Sequence, residues 1–242
     1  MIPAYRPLLM FALVAAPVWA AKPPKIPKDA PYCAPAGMKP VFLSPMGEPF
    51  RGTAGQPYPA AAWFAGADSD HDGAVSRGEF VRDAERFFRT IDLDHDGRIT
   101  PEEVIAYERD VAPEIALYSR SRDYLEVPTH GKPKAGQSNY GGAMGAGRYA
   151  WLNVPEPVVS ADTDFNRVID EEEFRQAASR RFDTLAGGEG KLLPAAMPRT
   201  PIQIAIEGPC RPRPKPKQGP GGDRRDGPPD SDDRARGEGA AQ

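Results

Sequence analysis

Residues 68–103 read DSDHDGAVSRGEFVRDAERFFRTIDLDHDGRITPEE. Twice within this stretch a twelve-residue segment places Asp at positions one, three and five, Gly at six, an apolar residue at eight and Glu at twelve. Calcium is a hard cation that takes six to eight oxygens at about 2.3–2.6 Å, and a loop supplies them from such alternating positions as it wraps the ion. In the first segment the ligands are Asp68, Asp70, Asp72, the carbonyl of Ala74, Ser76 and a bidentate Glu79. In the second they are Asp92, Asp94, Asp96, the carbonyl of Arg98, Thr100 and Glu103. Gly73 and Gly97 fall where the loop must turn with positive φ. At average composition six fixed residue types coincide with a frequency on the order of 10^-6 per start position, so chance does not account for two neighbouring copies.

Between the two loops, Phe80, Ala84, Phe87, Phe88 and Ile91 recur at helical spacing and predict a helix over 77–91. A further helix is expected from Pro59 into the first loop, and another from Pro101, a favoured first-turn residue, ending before Pro113. The pattern returns at an offset of 94 (162 − 68): Asp162 corresponds to Asp68, and Glu173-Phe174 to Glu79-Phe80. This third loop offers Asp162, Asp164, Asn166, the carbonyl of Val168, Asp170 and Glu173, with Arg167 in place of the glycine. A non-Gly residue at positive φ costs on the order of 1 kcal/mol, so the third site is expected to be the weaker one, helped by direct coordination from Asp170. A helix over 171–185 follows. A fourth segment, 186–197, keeps the Gly190-Lys191-Leu192 centre, lacks nearly all the acids and is one residue short. It is expected to serve structurally, with Leu192 as the inward residue of a partner loop.

These loops resemble the EF-hand family, of which calmodulin is a member, and in particular small exported bacterial EF-hand proteins of no assigned reaction. The resemblance covers roughly 59–198 apart from a Gly-rich interruption, and it implies calcium binding in helix-loop-helix hands. The expected fold is mainly α: duplicated pairs of EF-hand units, two loops per half sharing one helix, with irregular Pro- and Gly-rich flanks. In the calmodulin pattern a longer connection separates the loops. Here they start 24 residues apart (92 − 68 and 186 − 162), so a single helix must leave one hand and enter the next. Twelve helical residues set the loop ends about 18 Å apart, which makes pairing between loops of different halves an alternative to pairing within each.

Outside the hands, an apolar run over 8–18 after Arg6, followed by the small residues Val18 and Ala20, reads as a secretory signal peptide cleaved after residue 20. The run is too short to span a bilayer, so no membrane span is expected in the mature protein. The remaining boundaries are a Pro-rich linker and packing segment at 21–58, with 41–51 as a strand or extended piece, and a first pair of hands at 59–119. A Gly-rich mobile loop follows at 120–147, then a second pair at 148–200 and a charged, Pro-rich disordered tail at 201–242. Cys33 and Cys210 are the only cysteines, an even pair able to close a disulfide in the periplasm or outside the cell.

Net charge is -3, with no basic face interleaved with aromatics, so a nucleic-acid partner is not expected. His71 and His95 stand at the fourth loop position, facing away from the ion, and His130 lies in the Gly-rich stretch. No zinc-type cluster and no catalytic constellation stands apart from the calcium ligands, so an enzyme is not expected. The functional expectation is an exported calcium sensor or buffer of the cell envelope, or else a scaffold with permanently bound calcium that engages an envelope protein or an anionic envelope polymer.

Overall fold

The computed structural model describes residues 25–27, 30–115 and 143–212. The expected signal peptide, most of the Gly-rich loop and the tail beyond 212 lie outside the described residues. The architecture is mainly α, with three small antiparallel ribbons. In chain order the elements are β1 (Val41–Leu43), β2 (Pro49–Arg51), α1 (Ala60–Ala67), β3 (Val75–Ser76), α2 (Arg77–Ile91), β4 (Arg98–Ile99) and α3 (Pro101–Ala106). After a π-turn at Tyr107–Val111 and short 3-10 turns come β5 (Ile169–Asp170), α4 (Glu171–Ala186), β6 (Lys191–Leu192) and α5 (Pro201–Glu207).

Local signals account for the helix boundaries. α2, α3 and α4 each open with a capping box, Ser76 with Glu79, Thr100 with Glu103 and Asp170 with Glu173, which satisfies amide groups that the first turn leaves without partners. α4 ends at Gly187 in the left-handed region, φ 56°.

α2 and α4 lie side by side and run antiparallel: the Phe80 ring meets Phe182 at 5.7 Å and the Phe88 ring meets Phe174 at 5.4 Å. Each helix carries a loop at either end, so the antiparallel pair brings loops of different halves together. Val75 pairs with Leu192 in the β3–β6 ribbon, and Ile99 pairs with Ile169 in the β4–β5 ribbon. Pairing thus runs between the halves. The shared helix is a rigid rod that holds its own two loops at opposite ends, beyond each other's reach.

The segment 41–51 forms the β1–β2 hairpin, and it belongs to the core. Phe42 is fully buried against Trp63 and Trp151, whose rings lie at 6.2 and 4.6 Å from its own. Trp63 also packs on Phe80 at 5.9 Å and donates its indole N–H to Asp83, 2.8 Å away, which ties α1 to α2. The buried Arg181 guanidinium of α4 donates to the carbonyls of Pro45 and Pro157, at 3.0 and 2.7 Å. It thereby joins the hairpin turn to the chain that enters the third loop.

Two boundaries differ from the sequence-based expectation. The disordered tail was expected from 201, but Pro201–Glu207 is a helix capped by Thr200, with Ile202 and Ala205 buried. Its apolar pair finds a core surface that a reading of local composition does not see. The last residues of the expected mobile loop are likewise packed: Gly145–Arg148 is a buried 3-10 turn. A Cβ on Gly145 would stand 2.1 Å from the Pro155 carbonyl oxygen, so glycine here reflects close backbone approach.

The two ends of the described core are joined. Cys33 and Cys210 form a disulfide with Cα atoms 5.0 Å apart. Around it the Cys33 amide donates to the Arg211 carbonyl and the Arg211 amide to that of Pro31, both at 2.8 Å.

Candidate metal centres

The three acid-bearing loops share one backbone. Position four is left-handed in each, at His71 (φ 58°), His95 (φ 60°) and Phe165 (φ 62°), and their side chains are exposed. Position six is left-handed at Gly73 (φ 86°), Gly97 (φ 82°) and Arg167 (φ 72°). Arg167 thus adopts the strained conformation expected of it.

Inward-facing amides hold the carboxylates. In the first loop Asp68 accepts from the amides of Asp72 and Gly73 at 3.1 and 2.9 Å, and Asp70 accepts from Asp72 at 3.1 Å. In the second, Asp92 accepts from Asp96 and Gly97 at 3.2 and 3.0 Å. In the third, Asp162 accepts from Arg167 at 2.9 Å, and Asp164 from Asn166 at 3.0 Å. The ligand oxygens of Asp68, Asp70 and Asp72 lie within 4.8 Å of one another, as do those of Asp92, Asp94 and Asp96, and those of Asp162, Asp164 and Glu173. The twelfth-position Glu therefore joins the tight cluster in the third loop, whereas Glu79 and Glu103 stand outside that span in theirs.

Each twelfth-position Glu also serves its helix. Glu79 is buried and accepts from the Ser76 amide and hydroxyl at 2.9 and 2.8 Å and from the Ser69 amide at 2.9 Å. The Ser76 hydrogen bonds, with Ser69 and Asp70 behind them, hold its carboxyl down to about 2. For Glu103 and Glu173 burial works the other way, but the amides of Thr100 and Leu93 in one case, and of Thr163 and Asp170 in the other, keep both below the ordinary range. Ser76, Thr100 and Asp170 all act as helix caps. Asp170, expected as a direct ligand, spends Oδ1 on the Glu173 amide at 2.8 Å. Ala74 and Val168 directly precede β3 and β5, and Arg98 opens β4.

The donor set is all oxygen and strongly anionic, which suits a hard divalent cation. A second observation agrees with it. Asp162 Oδ1 is buried without a hydrogen-bond partner, a costly arrangement unless a cation meets it. In the other two loops the fifth-position amide fills that role.

The sequence reading missed two charged groups beside these loops. Lys191 of the acid-poor fourth segment forms an ion pair with Asp72. Glu156 hydrogen-bonds through Oε2 to the amide of Val159, which opens the turn leading into Asp162, while Oε1 is buried without a partner. Burial raises its carboxyl to about 7, with Glu108 adding to the rise and Arg181 opposing it. The folded protein thus binds more protons than the unfolded chain between the ordinary carboxyl value of 4.5 and about 7, so stability present at the lower pH is lost as pH rises through 7. Glu156→Gln should match the parent near pH 5 and exceed it by on the order of 2–3 kcal/mol near pH 8.5, in denaturant titrations at saturating calcium. A pH-independent difference defeats this assignment.

An EF-hand family model matches residues 60–82 and 84–106, which take in α1, α2 and α3 with the first and second loops. No curated protein and no solved structure matches the chain. The third loop lies outside the matched residues.

Proposed function

From two EF-hand repeats that share one helix, we propose that this chain is an exported, non-catalytic calcium-binding protein with three sites, the third weaker because Arg167 replaces glycine. The observation that carries this reading is the trio of carboxylate clusters, each on the same left-handed loop backbone. Residues 94 apart exchange roles across the α2–α4 contact, Phe80 with Phe174 and Phe88 with Phe182, which supports a duplicated two-loop unit. The fourth segment gives its Leu192 to the β3–β6 ribbon and lacks the acids to hold an ion.

Export to the periplasm or beyond is supported by the N-terminal apolar run and by the cystine. Among the described residues no helix is long and apolar enough to cross a membrane. In that setting the protein acts as a calcium sensor or buffer of the envelope, its partner an envelope protein or an anionic polymer. A specific observation favours the second reading, a scaffold with permanently held calcium. α2 leaves the first loop and enters the second, and paired loops share a ribbon at both ends of α2 and α4, so opening one hand moves a helix that another hand uses.

Calorimetry on the chelated and refilled protein should count three calcium ions. Glu79→Gln, Glu103→Gln and Glu173→Gln should each remove one. A stoichiometry of one or fewer sinks the proposal. To separate sensor from scaffold, exposed apolar surface is followed across the same titration, since only a sensor uncovers a groove as calcium binds.

A further inference from the structure

The fourth segment holds no acid set, yet it is built into the first metal centre. The β3–β6 ribbon sets Lys191 opposite Ser76, and fully buried Leu192 opposite Val75 fixes the register. From that position the Lys191 ammonium pairs with Asp72, a ligand of the first loop, and it also feels the charges of Asp70 and Glu79. Arg98 holds the corresponding place in the other ribbon, opposite Asp170. Among the described residues, no ion pair joins Arg98, or any other cation, to Asp92, Asp94, Asp96 or Glu103 of the second loop or to Asp162, Asp164, Asp170 or Glu173 of the third, where Arg175 pairs instead with Glu172 at the eleventh position.

We propose that Lys191 is a built-in counter-cation of the first loop, which calcium must displace from Asp72, so that the first site fills at higher calcium than the second. This rests on the calcium reading above and deepens it. The first and second loops have the same acids at positions one, three, five and twelve, and the same glycine; they differ at the ninth position, Ser76 against Thr100, and in the ion-paired ammonium that stands beside the first. An ammonium held within reach of three carboxylates lowers the energy of the ion-free loop, and binding has to forgo that stabilisation. The pair is half exposed, so the effect is that of a surface ion pair, roughly two- to fivefold in affinity. The degenerate hand thereby acquires a task. It staggers the calcium concentrations at which the first and second sites fill.

The test uses amide NMR on the full chain, titrated with calcium from a chelated start. Gly73 and Gly97 donate their amides to Asp68 and Asp92, so they report the first and second loops individually. Lys191→Met should move the Gly73 midpoint to lower calcium by roughly two- to fivefold and leave the Gly97 midpoint in place. Lys191→Arg should keep the parent behaviour. Arg98→Met, which removes a charge of the same sign elsewhere, should not move Gly73. A Gly73 midpoint unchanged in Lys191→Met, or one that moves equally in Arg98→Met, overturns the proposal and leaves the calcium reading standing. If neither glycine responds to calcium in the unaltered protein, the calcium reading falls and this proposal falls with it.

Discussion

Passing from excess chelator to millimolar calcium should raise the midpoint of thermal unfolding by roughly 20 °C. Each loop crowds three or four carboxylates together, and a divalent cation relieves their mutual repulsion. A cation that binds the folded state alone stabilises it by about 2.7 kcal/mol per site at 100 times its dissociation constant. Three such sites give roughly 8 kcal/mol, and for a chain of this size each kcal/mol moves the midpoint by about 2–4 °C. The effect reaches the helices directly, because Glu79, Glu103 and Glu173 are at once loop residues and caps of α2, α3 and α4.

Gln also completes a capping box, so Glu79→Gln, Glu103→Gln or Glu173→Gln retains the cap while losing the bidentate ligand. Glu79→Gln and Glu103→Gln should therefore each remove about a third or more of the calcium-dependent rise, and Glu173→Gln, at the weaker site, a smaller share. Magnesium should give a smaller shift, because it demands octahedral geometry and dehydrates reluctantly. Equal midpoints and equal helix content in chelator and in calcium would show that the loops hold no ion that matters to the fold.

Replacing both Cys33 and Cys210 with Ser should cost about 5 kcal/mol, read as a midpoint lowered by roughly 10–20 °C at constant calcium. The bridge closes a loop between residues 177 apart, and in the chain-entropy account the stabilisation grows slowly with that length, from about 4.7 kcal/mol for a 100-residue loop. It fastens a joint that also carries the bridge between Tyr32 and Arg211 and a hydrogen bond from the Ala34 amide to Ala205 of α5. The cystine is the covalent tie next to α5, which is a short helix near the end of the described core, so α5 should be the first helix to lose hydrogen-exchange protection in the double variant. An unchanged midpoint in the double variant goes against the structural role. Two reactive thiols in protein recovered from its own compartment would refute the bridge itself.

The loops and the helices beside them were legible from residues 68–103 and 162–186 alone. Cation loops, capping boxes and helix stripes are local: every group that decides them lies within a few turns of chain, so α2 begins and ends where its periodicity placed it. Tertiary structure alone decided which loops meet. That depends on Phe80 finding Phe182 and Phe88 finding Phe174, contacts between residues about a hundred apart whose geometry no local pattern encodes. The same holds for α5, whose two buried apolar residues are too few to announce a helix until a core surface receives them. Gly145 and Gly147 read as flexibility by composition, while in the fold they admit the Pro155 backbone and the Asn153 side-chain amide with its Cα. Lys191 read as one lysine in a loop that had lost its acids. Only the antiparallel pairing of α2 with α4, by laying the fourth segment against the first, brought its charge to Asp72.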